Sequence, residues 1–169
     1  MNNIRCRLAF FILFLPLASA QAGELFLDIN GTSKHSKDTY RYRGATYEYN
    51  SRNAGLGLTA GLNKHFDASA GFYDNSYGRQ TTYASVTLKH DLSYRDFILT
   101  PGISVGLATG YSNTPVHAAT LQPLLSVSVR ATWRGVGFTV GYFPPVNTGE
   151  IIPDSVITLQ ANVQLKNNY

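Results

Sequence analysis

Apolar and polar residues alternate along most of this chain. From Asn53 to Asn63, Ala54, Leu56, Leu58, Ala60 and Leu62 fall on one side, and Gly55, Gly57, Thr59 and Gly61 on the other. Side chains of an extended strand point to opposite faces in turn, so a period of two predicts a strand and not a helix. The alternation returns at 66–75, where Phe66, Ala68, Ala70 and Phe72 oppose Asp67, Ser69, Gly71 and Tyr73. It returns again at 81–89, 97–111, 125–133, 136–142 and 157–165. A less regular first strand covers 25–30, with Leu25, Leu27 and Ile29 against Phe26, Asp28 and Asn30. Eight strands are predicted.

The second face decides what kind of sheet this is. A soluble sheet buries its apolar face and covers the other with charge. Here the other face is mostly Gly, Ser, Thr, Asn and Gln, which suits an enclosed space better than open water. An outer-membrane barrel inverts the soluble rule, with apolar side chains on lipid and polar ones in the lumen. Its strand count is even and its strands run about nine to eleven residues. Lipid offers no partner to an open sheet edge, so such a sheet must close. The expected fold is therefore all-β, an eight-stranded antiparallel transmembrane β-barrel of the outer-membrane type. A periplasmic β-sandwich is the alternative. Connections are short at 64–65, 90–95 and 134–135, and mostly longer at 34–52, 74–80, 112–122 and 144–154. Short turns face the periplasm in such barrels and long loops face outward, which puts both termini on the periplasmic side. Phe66, Tyr94, Phe97, Tyr111, Trp133 and Tyr142 fall near strand ends as candidate interface girdles.

Composition agrees. Only 14% of the 169 residues are charged, against roughly 25% in a typical soluble domain. The one long apolar run, Leu8 to Leu17, follows Arg5 and Arg7 and precedes the small residues Ala18 to Ala22. That order is a secretory signal peptide, and ten apolar residues are too few to span a bilayer as a helix. Residues 1–22 are read as the signal peptide, cleaved after Ala20 or Ala22, and 23–169 as the barrel domain. Cleavage removes Cys6, which excludes disulfide and thiol chemistry from the mature chain, and halves the formal charge of +4. No nucleic-acid role is read from the remaining charge. The terminal Tyr169, with Leu165 and Val163 at alternating positions before it, partly matches the C-terminal signal of outer-membrane barrels.

Eight strands enclose a lumen that side chains fill, or that holds one small ligand. A transport pore is disfavoured. Nine inward positions are Gly (55, 57, 61, 71, 102, 106, 110, 137 and 141). They read either as a pocket for a slender ligand such as an acyl chain, or as room for Tyr73, Tyr83 and Phe143 to pack across the barrel. Asp67, Lys89 and Arg130 point inward near the periplasmic end and are expected to neutralise one another as a plug. The four histidines form no close ligand pair, so neither a metal nor a cofactor is expected. His65 and His90 fall in short turns, and His35 and His117 in long loops. His35 follows the first strand, while Asp74 and Ser76 close the third at the same end. A histidine, a hydroxyl and a carboxylate converging there suit acyl transfer, with the histidine as base.

From Tyr49 onward the chain resembles the lipid A palmitoyltransferase family of eight-stranded outer-membrane barrels. The resemblance is carried by Tyr49-Asn50 with Gly55 to Leu58, by Gly71-Phe72-Tyr73 with Asn75-Ser76, by Pro123 to Val129 (PLLSVSV), by Gly135 to Phe138, and by Tyr142-Phe143-Pro144. It implies that His35 matches the family's first-loop histidine and Ser76 its second-loop serine. The family's Asp position holds Asn75, with Asp74 one residue earlier. It also implies lateral lipid entry beside the proline-weakened strand ends at Pro123 and Pro144-Pro145.

The expected function is acyl transfer between phospholipid and lipid A at the outer rim. His35 would be the base, Ser76 the hydroxyl partner and Asp74 the group that orients His35. The alternative is a non-catalytic surface barrel that binds lipopolysaccharide or a partner through its first loop, which is rich in Tyr, Lys and Arg. The expected partners are outer-membrane lipids, and the chain is expected to be a monomer.

Overall fold

A computed structural model describes residues 23–42, 44–111, 121–145 and 154–167. The expected signal peptide at 1–22, His117 and Tyr169 lie outside these residues. Eleven strands form among them: β1 (Glu24–His35), β2 (Thr39–Tyr42), β3 (Ala45–Glu48), β4 (Arg52–Gly61), β5 (Phe66–Asp74), β6 (Gln80–Lys89), β7 (Leu92–Tyr94), β8 (Phe97–Ala108), β9 (Gln122–Trp133), β10 (Val136–Phe143) and β11 (Val156–Asn167). The main sheet runs β6-β5-β4-β1-β11-β10-β9-β8-β7, and a β6–β8 pairing joins its ends. It is a closed antiparallel barrel.

Its strand number is eight, because β7 continues β6. Lys89 pairs with Gly102 and Leu92 with Leu99, which is one unbroken register. The ladder falters between them at Pro101, which has no N–H to give. His90 still donates its backbone N–H to the Pro101 carbonyl at 3.1 Å. His90 thus stays in line with the ladder between β6 and β7, and the predicted 90–95 turn shrinks to Arg95-Asp96 between the paired Tyr94 and Phe97. The 134–135 connection is as predicted. Arg134 and Gly135 both have positive φ, 49° and 82°, which suits the twist of a two-residue hairpin turn. The first long loop contains a feature the alternation did not announce. β2 and β3 pair as a separate two-stranded ribbon.

The barrel is inside out relative to a soluble protein. Val105, Phe138, Leu165 and Ile103 stand on the exterior, each more than half exposed, while among the described residues the buried apolar side chains reduce to Phe26, Ala60, Ala70, Ala108 and Val156. A continuous exterior of that kind needs lipid, which excludes the soluble sandwich. Phe66, Tyr94, Phe97 and Trp133 are exposed at the short-turn end and Tyr142 at the other, as girdle residues should be. Tyr111 is not one of them. Gly110 turns the chain at φ 85°, and the Tyr111 hydroxyl meets that of Tyr73 at 2.6 Å.

The lumen is closed toward the short turns by charge. Lys89 Nζ lies 3.3 Å from Glu24, 3.2 Å from Asp67 and 3.2 Å from Asp91, and Arg130 lies 3.3 Å from Asp67. The Arg130 guanidinium also covers the Phe26 ring at 4.3 Å. Beside this cluster Asp28 accepts hydrogen bonds from Thr59 (2.5 Å) and Asn162 (2.8 Å). The expected neutralisation of Asp67, Lys89 and Arg130 is present, and Glu24 and Asp91 join it. Of the two readings of the inward glycines, packing space holds for Tyr83. A Cβ on Gly57 would strike its hydroxyl, and one on Gly71 would lie 2.9 Å from its ring. A cavity of about 190 Å³ runs from the charged cluster past Tyr83 and Tyr73 to the long-loop end.

Candidate active site at the long-loop end

His35 reaches the lumen through a break in strand parity. Glu24, Phe26 and Asp28 face inward from even positions of β1. Continued strictly, that parity would send His35 outward with Leu25, Leu27 and Ile29. The pairing of β1 with both β4 and β11 slips between Asn30 and Thr32, at Gly31. One extra residue in a strand moves every later side chain to the opposite face. Ser33 and His35 therefore turn in and are buried, while Thr32 and Lys34 turn out. Lys34 pairs with Asp38 in the open, so this end of β1 is beyond the lipid belt.

Ser76 comes from the β5–β6 turn, which Asn75 organises. Asn75 is fully buried. Its Oδ1 accepts from the backbone N–H groups of Tyr77 and Arg79, both at 3.0 Å. Its Nδ2 donates to the Gly110 carbonyl at 2.8 Å and to Thr81 at 3.1 Å. Asn50 clamps the same turn, donating its backbone N–H to the Ser76 carbonyl at 2.8 Å. Asn75 is thus a scaffold residue, and an amide is the group its surroundings require. Asn75→Asp would set a carboxylate oxygen against the Gly110 carbonyl in a buried site. It is expected to destabilise the barrel by about 1–3 kcal/mol and not to raise activity, as a denaturant midpoint and a turnover assay on the variant would show.

The turn brings Ser76 Oγ to 2.6 Å from His35 Nε2, with both side chains buried at the mouth of the cavity. Ser33 Oγ is 3.4 Å from Ser76 Oγ. Two of the three expected residues therefore meet. Asp74 does not join them. It is exposed at the end of β5, on the outer face shared with Phe72, because neighbouring strand residues point oppositely and Asn75 takes the inward place. Its backbone pairs with Gln80, and its carbonyl accepts from Asn53 Nδ2 at 2.8 Å.

Two groups that strand patterning passed over lie beside the histidine. The Tyr49 ring stacks flat on the imidazole, with centroids 3.8 Å apart and planes 6° from parallel. The Tyr49 hydroxyl donates to Asp154 Oδ2 at 3.0 Å, and Lys37 Nζ holds Asp154 Oδ1 at 2.8 Å. Burial lowers the His35 pKa from its ordinary 6.5. Lys34 adds to that effect, and the Asp154 charge partly opposes it. The imidazole is thus held neutral and able to accept the Ser76 proton at Nε2. Burial alone would raise the Asp154 carboxyl, but the bonds from Lys37 and Tyr49 and the Lys37 charge outweigh it and keep Asp154 ionised. Among the described residues no group of three or more His, Cys, Asp or Glu is placed to hold a metal.

No family model matches the chain, and no curated protein does. Solved structures do. A de novo designed transmembrane β-barrel superposes with a TM-score of 0.59 at 10% identity, covering 86% of this chain and 98% of that one. The designed barrel TMB2.3, solved by NMR in solution, gives 0.54 at 14% identity, with 88% and 98% covered. Neisserial surface protein A gives 0.47 at 14% identity, with 86% and 97% covered. At these identities the likeness is one of fold. The chain is a small, membrane-embedded β-barrel of the outer-membrane type.

Proposed function

We propose that this barrel transfers an acyl group from a phospholipid to lipid A in the outer leaflet of an outer membrane. The observation that carries the reading is the buried 2.6 Å contact between His35 Nε2 and Ser76 Oγ, residues 41 positions apart that separate elements bring together. A neutral imidazole against a hydroxyl is the pairing that activates a serine. In the first half-reaction Ser76 Oγ attacks the ester carbonyl of the phospholipid and its proton passes to Nε2. The ester C–O bond then breaks, and the lysophospholipid oxygen leaves with that proton. In the second, a lipid A hydroxyl attacks the acyl-serine, gives its proton to Nε2, and Ser76 recovers it as the new ester forms. Pro123 supports lateral access for lipid. It stands in β9 opposite Leu107 and has no backbone N–H to give a neighbouring strand, at the same end of the barrel as the pair.

The test is the lipid A mass spectrum of an outer membrane that carries the wild-type chain. The expected result is lipid A heavier by one acyl group, with matching lysophospholipid. An unchanged spectrum from a correctly inserted barrel would sink the reading. The depressed His35 pKa adds a pH signature. A base acts while neutral, so activity is expected to persist below pH 6.5, the ordinary histidine value, and to fall only at more acidic pH as Nε2 is protonated. An acidic limb centred at or above 6.5 would contradict the buried neutral imidazole.

A second reading rests on the β2–β3 ribbon. Tyr40 packs against Tyr49 and Tyr77 at 5.0 and 4.8 Å, while Tyr47 is nearly half exposed. This aromatic surface, with Arg41 beside it, suits binding of lipopolysaccharide without chemistry. Lipopolysaccharide retention by a Ser76→Ala barrel with unmodified lipid A would favour it.

A further inference from the structure

We infer that Asp154 and Tyr49 are the positioning residues of His35, filling the place that neither Asp74 nor Asn75 takes. The inference rests on the reading of His35 as a base and goes beyond it, because it names what holds and tunes that base.

The geometry starts from strand pairing. His35 pairs with Val156 across the β1–β11 ladder, and the Ser36 N–H bonds the Ser155 carbonyl at 2.9 Å. That bond fixes the segment before β11 against the end of β1. Asp154 shares the inward parity of Val156 and is buried like it, with 6% and 8% of their surfaces exposed. Its carboxylate does not touch the imidazole. It accepts the Tyr49 hydroxyl with one oxygen and Lys37 with the other. The Tyr49 ring is thereby pinned at its far end while its face lies against His35. Tyr40 and Tyr77 pack the other sides of that ring, at 5.0 and 5.7 Å.

Each contact has its own consequence. A flat ring at 3.8 Å leaves the imidazole one plane in which to rotate, and Ser76 lies at the end of one in-plane direction. This is how an aromatic neighbour fixes the aim of a base. Asp154 acts through space. Burial and the outward Lys34 charge disfavour the imidazolium that forms as Ser76 loses its proton, and Asp154 favours it. Lys37 moderates this by neutralising part of the Asp154 charge. The remaining neighbours, Ser33, Ser76, Tyr49 and Tyr77, are uncharged at neutral pH.

The experiment uses the full barrel in detergent micelles, with ¹⁵N-labelled histidine followed by NMR as pH is varied. The His35 signals are assigned by their loss in His35→Ala. Asp154→Asn is expected to lower the His35 titration midpoint and Lys37→Met to raise it. These shifts are read without turnover, so they stand or fall apart from the acyl-transfer reading. A midpoint unmoved by both substitutions overturns the role of Asp154. In the transfer assay Tyr49→Leu is expected to lower kcat by roughly ten- to a hundredfold with little change in KM, since a small misplacement of a catalytic group costs on that scale. Tyr49→Phe keeps the ring and is expected to restore most of the loss. Equal losses for Phe and Leu overturn the ring's part. If the wild-type chain transfers no acyl group, the NMR shifts alone decide.

Discussion

His35→Ala and Ser76→Ala are each expected to lower acyl transfer to lipid A by roughly 10²–10⁴-fold, the range typical of a lost general base. Either substitution leaves the other residue without its partner at the cavity mouth, since the 2.6 Å contact is the one hydrogen bond between them. A nucleophile and its base act as a unit, so the double variant is expected to be scarcely worse than either single one. The contact joins the end of β1 to the β5–β6 turn and no barrel ladder depends on it, so both variants should insert normally. Heat-modifiable gel mobility checks the insertion and the lipid A mass spectrum reads the activity. Rates within twofold of wild type in a correctly inserted His35→Ala barrel would remove His35 from the chemistry. A double variant far below both singles would mean that the two residues work separately.

Lys89→Met is expected to give the largest loss of stability in the molecule. Its ammonium is nearly fully buried and lies within 3.3 Å of Glu24, Asp67 and Asp91. Removing it leaves those carboxylates facing one another with only Arg130 in reach of Asp67. Breaking a buried ion pair from one side typically costs about 3–5 kcal/mol, because the remaining charge is desolvated and uncompensated. Asp67→Asn should cost less, since Lys89 keeps two other carboxylates and the substituted amide oxygen can still accept from Arg130. Asp96→Ala provides the contrast. Its bridge to Arg134 spans 2.8 Å, yet both side chains are more than half exposed, and such pairs contribute about 0–1 kcal/mol. Urea midpoints of the folded barrels should rank Lys89→Met lowest, then Asp67→Asn, with Asp96→Ala near wild type. Equal midpoints for Lys89→Met and Asp96→Ala would show that the charged cluster does not hold the barrel.

Strands with two unlike environments were legible, and little else was. Leu56 and Leu58 against Gly57 and Thr59 announce a barrel wall, because lipid and lumen impose opposite demands on adjacent residues. The β2–β3 ribbon carries no such contrast. Tyr40 and Tyr42 do alternate with Thr39 and Arg41, and Tyr47 with Thr46 and Glu48, but tyrosine against hydroxyl and charge lacks the Leu-against-Gly contrast of the barrel wall. The candidate pair was half legible for a related reason. His35 and Ser76 were found as residue types at one end of the barrel, but strict parity sends His35 to the outer face, and only the slip at Gly31 turns it inward. Asp74 is the carboxylate next to the family's Asp position, and its outward parity in β5 keeps it from the pair. Asp154 was within reach. Counting back from the inward Thr158 by twos gives Val156 and Asp154, yet the stretch before residue 155 was assigned to a loop, and a loop carries no parity. Tyr49 left no signal in the pattern, since it follows β3 outside the barrel ladder and meets the end of β1 only in the folded chain.

The barrel closes where β1 meets β11, with Glu24 opposite Asn167 at one end of the seam and His35 opposite Val156 at the other. Those partners are almost the whole described chain apart, so this seam is the slowest part of the molecule to find by diffusion. Asp154 reaches the neighbourhood of His35 only across it. A chain that has inserted but not yet zipped its first strand to its last therefore holds His35 and Ser76 without the carboxylate that tunes them. On the acyl-transfer reading, assembly and activation would coincide, and a barrel whose seam is still open would have little power to consume the lipid around it.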